Sequence, residues 1–352
     1  LWLIFQGLTP NLVSRPMHLA LALPWLFFFA SSKNRTERFL GWILGALGIS
    51  AALWVAINQS SLGDQYGILA NNFQIAMGII LLVTVMEGAR RAIGWPLPLV
   101  ALVSLVYGLY GQYLPGEFGH SGPPLTSFLG TLTIAEGGIW GSLTDVSVKI
   151  VAIFVMFGAV LDAGEAGQGF MNIAAGVAGK LKGGAGKVSV ISSALFGYIS
   201  GTASANVAST GAITLPAMTK LGYPKRLAAA IEAVASSGGQ IMPPLMGAGA
   251  FVMVTLTGIP YTSIMAAALL PAILYFFAVC IGINAYSKQF DLKGIADKDK
   301  PSSRDILVTS AFFMVPFFVL LIGMFAIQKS PQYSACMAII AGALMLFIDV
   351  NL

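Results

Sequence analysis

The 352-residue chain is 57% hydrophobic and only 9% charged, against roughly 25% charged residues in soluble domains, and its mean hydropathy is +0.83. That composition excludes a soluble globular domain and points to an all-α polytopic membrane protein. The net charge of +5 comes from Lys and Arg scattered between apolar runs, the pattern of an inner-membrane protein rather than of a nucleic-acid binder.

Windows of about 20 apolar residues place spans at Pro16–Ala30, Phe39–Ile57, Ile75–Gly88, Pro96–Tyr113, Ser147–Asp162, Leu227–Thr255, Ser263–Tyr286, Ile306–Ile327 and Tyr333–Leu352. The chain begins at Leu1 rather than Met and stops inside the apolar run "LMLFIDVNL", so a fragment at both ends is expected. Cys280 and Cys336 lie in apolar runs, and His18 and His120 stand apart; neither a disulfide framework nor a zinc site is expected. Glu87 beside Arg90 and Arg91 reads as an ion-pair cluster at a helix end. "FMNIAAGVAGKLKGG" places Phe170, Ile173, Val177 and Leu181 on one helical face beside lysines, the pattern of a helix lying along the cytoplasmic interface.

Orientation follows from the basic residues, which stay cytoplasmic when they flank spans. They group as Lys33, Arg35 and Arg38; Arg90 and Arg91; Lys180, Lys182 and Lys187; Lys220, Lys225 and Arg226; and Lys288, Lys293, Lys298, Lys300 and Arg304, leaving only Arg15, Lys149 and Lys329 of the 19 outside a cluster. The opposite loops "NQSSLGDQYG" and "GQYLPGEFGHSGPP" carry no Lys or Arg. One segment breaks the alternation: residues 188–219 are apolar, yet basic on both flanks. A dip into the membrane and back keeps both flanks inside, which predicts a re-entrant helical hairpin with "SGTASAN" at its tip. Irregular backbone at membrane depth is tolerated only where protein or a watery cavity satisfies it, so the tip has the character of a binding element.

A second irregularity follows. In the span 227–255, the stretch Ser236–Pro244 holds two serines, two glycines, a glutamine and two prolines. Pro243 and Pro244 lack backbone donors and Gly238 and Gly239 are poor helix formers, so this helix should be broken. Freed carbonyls and half-helix ends at the bilayer midplane are where secondary transporters coordinate ions and anionic groups. Taken singly, Ser192 and Gly197 fit close helix packing equally well. Glu232 is open to two readings, a functional intramembrane acid or a structural partner of Lys225 and Arg226.

The stretch "ALFGYISGTASANVASTGAITLPAMTKLGYPKRLAAAIEAVASSGGQIMPPLMGAGAFVM", residues 194–253, resembles the signature region of the large membrane subunit of tripartite ATP-independent periplasmic (TRAP) transporters, specifically the fused permeases that work with TAXI-class binding proteins; "EGARRAIGWPLPLVAL" resembles the small-subunit-like region joined to it. The resemblance implies an elevator-type, sodium-coupled importer in the bacterial inner membrane, taking up a small carboxylate-bearing solute from a soluble periplasmic protein. It implies residues 1–113 as a four-helix scaffold, 114–146 as an interfacial connector and 147–352 as the first half of the transport region, with an inverted repeat beyond it completing the site. Carried over by position, Ser200, Gly201, Thr202, Ala203, Ser204 and Asn206 match the hairpin tip, and Ser236, Ser237, Gly238, Gly239 and Gln240 match the helix break. These would face a substrate and one sodium ion, with Ser204, Asn206 and Gly238 as its ligands.

Sodium is a hard cation suited to neutral oxygen donors, and no other cofactor is expected. The G-x-x-x-x-G-K-[ST] pattern of ATP binding is absent from the sequence. A channel subunit or the membrane permease of an ATP-driven importer remain as alternatives; an enzyme is disfavoured because the polar clusters hold no nucleophile with an adjacent base.

Overall fold

The computed structural model describes residues 7, 9–29, 34–164, 166–200, 202–243, 246–292, 294–295 and 301–347. Among these the chain is mostly helical and contains no strand. It divides into two compact units, residues 2–148 and 149–352.

In the first unit, α1 (Asn11–Pro24) runs into a π-helical turn (Trp25–Phe29) and packs on α2 (Arg35–Ile57), against which α4 (Asn72–Ile93) also lies; a short α3 (Gln59–Gly63) intervenes. Asn34 caps α2 by accepting from the Thr36 amide, and Asn71 caps α4 by accepting from Gln74, the short polar side chains satisfying first-turn donors. The packing face of α2 is a row of small residues, Gly41, Gly45, Gly48 and Ala52. A Cβ on Gly45 would lie 2.7 Å from the Phe27 Cβ, which is why small residues occupy this row. α5 (Pro96–Tyr110), α6 (Leu125–Thr133) and α7 (Ser142–Val146) complete the unit. Its core gathers Leu12, Ala51, Val55, Leu81, Leu129 and Trp140.

Two ionic features organise this unit. Glu87 pairs with Arg90 at 2.6 Å and Arg91 at 2.8 Å, as expected of a helix-end cluster. Arg15, which fell outside the basic clusters, is buried; it pairs with Asp145 at 2.9 Å and donates to the Trp140 carbonyl. It is a structural cation.

In the second unit a π-helical turn leads into α8 (Ala152–Ala163), followed by α9 (Ala166–Ala178), α10 (Gly184–Ser200), α11 (Ala203–Lys220) and α12 (Lys225–Gly238). A 3-10 turn (Gly239–Ile241) follows α12, and α13 (Ala248–Thr257) begins only at Ala248; α14 (Tyr261–Gln289), α15 (Ser303–Leu321) and α16 (Pro331–Met345) follow. α15 opens on a capping box between Ser302 and Asp305, and Gly258, at φ +69°, closes α13 in the left-handed conformation that a side chain disfavours. α10, α11 and α12 pack on one another, and α9 lies between α10 and α15.

That last contact shows which side of α9 is buried. Phe170 is fully buried, its ring 5.7 Å from Phe196 and 4.5 Å from Phe313, while Asn172 donates to Thr309. Of the four apolar residues, Val177 and Leu181, the latter just past the helix end, are exposed. The aromatic and the amide have partners on α10 and α15 that helical periodicity does not reveal.

Among the described residues six helical segments are long and apolar enough to cross a membrane: Asn11–Phe29, Arg35–Ile57, Asn72–Ile93, Ser142–Ala163, Tyr261–Gln289 and Ser303–Ala326. Of the other expected spans, 96–113 holds a helix of 15 residues, 227–255 is divided into pieces of 14, 3 and 10 residues, and 333–352 is helical to Met345, with residues 348–352 outside the described set.

Candidate functional site

Three helices build the site, and each carries polar residues four apart. α10 contributes Ser189, Ser193 and Gly197; α11 contributes Asn206, Thr210 and Thr214; α12 contributes Glu232, Ser236 and, beyond its end, Gln240. A spacing of four keeps each set on one helix face, and the three faces meet. Ser189, Ser193, Thr210, Thr214, Glu232 and Ser236 are all buried.

The tip of the pair α10–α11 is tied down by its sequence. Thr202 is the N-cap of α11, with extended backbone and its hydroxyl accepting from the Ala205 amide at 3.3 Å. Ser200 ends α10. Gly201 and the side chain of Ser200 lie outside the described residues. Ala203 and Ser204 open α11, with Ser204 exposed and forming no hydrogen bond through its side chain among the described residues.

Asn206 does the opposite. Fully buried, it donates from Nδ2 to the Ser193 carbonyl at 2.9 Å and to the Ser236 carbonyl at 3.4 Å. One amide therefore bridges the helix that enters the tip and the helix that breaks beside it, while among the described residues its Oδ1 has only a 3.5 Å contact with the Thr210 hydroxyl.

At the break, glycine is required by contact. A Cβ on Gly197 would sit 2.5 Å from the Gly239 Cα, and one on Gly239 would sit 2.6 Å from Asn206 Nδ2 and 2.9 Å from the Gly197 Cα. The two backbones touch with no side chain between them. Gly238 is buried against Tyr275 and Phe276 of α14. Ser236 turns its hydroxyl to Glu232, and Ser237 bonds back to the Ala233 carbonyl at 2.8 Å. The Gln240 carbonyl accepts from the Gly247 amide, and Gln240 lines a cavity of about 710 Å³ with Met246, Ala250, Met253 and Ser263. Pro243 follows the turn; Pro244 is outside the described residues.

Glu232 resolves against the structural pairing with Lys225 and Arg226, both of which are exposed. Among the described residues its carboxylate forms no ion pair. It accepts from the hydroxyls of Ser189 (2.8 Å), Thr210 (2.5 Å), Ser236 (3.2 Å) and Thr214. Ser189, Thr210 and Thr214 escaped the sequence reading, although the spacing of Asn206, Thr210 and Thr214 on one helix face was there to be read.

The chemistry available is that of neutral oxygen. No group of three or more His, Cys, Asp or Glu among the described residues could hold a metal ion, but a hard monovalent cation needs none. The exposed Ser204 hydroxyl and the lightly engaged Asn206 Oδ1 are suitable donors.

Comparison with known proteins is consistent with this architecture. The family model for the DctM component of the tripartite ATP-independent periplasmic transporter matches residues 80–351. The C4-dicarboxylate TRAP transporter large permease protein DctM of Rhodobacter capsulatus is 32% identical over 97 residues, 28% of this chain and 22% of that protein. The isethionate TRAP transporter permease protein DctMQ of Oleidesulfovibrio alaskensis is 32% identical over 181 residues, 46% of this chain and 28% of that protein. The ectoine TRAP transporter large permease protein TeaC of Halomonas elongata is 24% identical over 223 residues, 62% and 51% respectively. The chain spans about half the length, or less, of these curated relatives, which are transporter permeases and not enzymes. With the family model matching well over half of its length, the chain belongs to the DctM component family of tripartite ATP-independent periplasmic transporters.

Proposed function

We propose that this chain forms the first half of the transport region of a fused, TAXI-type TRAP permease in the bacterial inner membrane, driven by sodium and moving a small carboxylate-bearing solute delivered by a periplasmic binding protein. The observation that carries this reading is the junction itself: a helical hairpin tip and a helix break held backbone to backbone at Gly197 and Gly239, with Asn206 bonded to both sides. In this reading Ser204, Asn206 and a carbonyl at Gly238 hold the sodium ion. Thr202 and the first-turn amides of α11 face the solute, since the positive end of a helix favours a carboxylate, and Ser237, Gly239 and Gln240 line its other side. An inverted repeat contributes the rest of the site, and the second unit moves as an elevator. The name of the Rhodobacter capsulatus relative, for C4-dicarboxylate, supports a carboxylate-bearing solute.

The test is uptake by the full-length permease in proteoliposomes. Transport is expected only with an inward sodium gradient and a TAXI-class binding protein both present. Undiminished uptake without the binding protein overturns the TAXI assignment, and undiminished uptake with potassium replacing sodium overturns the ion assignment.

A further inference from the structure

Glu232 is a buried acid that the proposed site does not use. It is 1% exposed, and all four of its hydrogen bonds come from neutral hydroxyls: Ser189 and Thr214 on one oxygen, Thr210 and Ser236 on the other. A carboxylate is acceptor-only, with about four lone-pair positions, so the cage is complete and leaves no position from which Glu232 could ligate an ion. Burying a charge is costly unless something compensates it, and hydroxyl dipoles supply only part of that compensation; among the described residues no cationic side chain comes within ion-pair distance of it, the buried Lys187 of α10 included. The carboxylate is also linked to the junction. Thr210 Oγ1 lies 2.8 Å from the Asn206 carbonyl, and Ser236 carries both a hydroxyl on Glu232 and a carbonyl bonded by Asn206.

We propose that Glu232 is the countercharge of the coupling cation: a carboxylate that never touches the ion, sets its affinity through the low-dielectric interior, and fixes α10 and α11 against α12 through its hydroxyl cage. It is a positioning residue for the proposed site, and the inference rests on the sodium reading given above. It explains why an acid rather than an apolar residue occupies a position where three helix faces meet, and why that acid has no ion-pair partner among the described residues.

The experiment is sodium-dependent uptake by the full-length permease with its binding protein, at matched folded amounts, for wild type, E232Q and E232D. E232Q keeps the size and removes the charge; a rise in sodium half-saturation of roughly tenfold is expected, with the maximal rate at saturating sodium largely kept. E232D keeps the charge and should stay within about threefold of wild type. A residue that only packs the helices would lower the maximal rate and the yield of both variants and leave half-saturation alone. Unchanged half-saturation in E232Q therefore overturns the proposal, and a tenfold rise in E232D shows that shape rather than charge is read and overturns it equally. If E232Q does not accumulate, a second neutral variant, E232M, is read in its place: a rise in sodium half-saturation of roughly tenfold is expected, and an unchanged value overturns the proposal. A wild type indifferent to sodium overturns the ion assignment first, which separates the two failures.

Discussion

At the residue scale the junction depends on two kinds of position. Gly239 is there because nothing larger fits: its added Cβ would meet both Asn206 and the Gly197 backbone, and backbone cannot move aside as a flexible side-chain end can. Ser204 is exposed and forms no hydrogen bond through its side chain among the described residues, and in the proposed ion site its oxygen faces the cation. The two substitutions should therefore separate. Gly239→Ala is expected to lower the thermal stability of the full-length protein in detergent, by about 1 to 3 kcal/mol as overpacking does, whatever the sodium concentration. Ser204→Ala should leave stability in sodium-free buffer unchanged and raise the sodium half-saturation of uptake. The same sodium curve for Ser204→Ala and wild type would remove Ser204 from the ion site.

At the element scale the hairpin is the feature that the charge pattern anticipates. Basic residues on both flanks predict that the two ends of α10–α11 lie on one side of the membrane, and the two helices pack against each other. Single cysteines near the two ends should then react with an impermeant thiol reagent from the cytoplasmic side alone. Lys187 is a poor position for that probe because it is buried; Lys182 and Lys220 are exposed and suit it. Labelling of one from each side would remove the hairpin. The helix break was equally legible, since prolines and glycines in mid-span cannot sustain a helix. The side that α9 buries was not legible: Phe170, Val177 and Leu181 look equivalent on a helical wheel, and only packing against Phe196 and Phe313 separates the first from the others.

At the scale of the whole molecule, composition carries one firm consequence. With six segments among the described residues long and apolar enough to span a bilayer, the protein should stay with the membrane pellet through high-salt and alkaline washes and be released only by detergent. A peripheral protein held through its net charge of +5 would wash off in salt, because exposed electrostatic attraction is screened; recovery in the salt wash would contradict the integral reading. Sequence by itself determined the helical class, the basic flanks, the breakable span and the motif of the DctM family, because each is local or compositional: hydropathy, proline chemistry and contiguous small residues need no partner to be read. What only the tertiary structure decided is which of these residues meet. Arg15 became a structural cation through Asp145, 130 positions away, and Glu232 exchanged its sequence neighbours for hydroxyls up to 43 residues distant. A buried charge is governed by whatever replaces its water, and those groups are chosen by the packing of helices that the order of the chain does not specify.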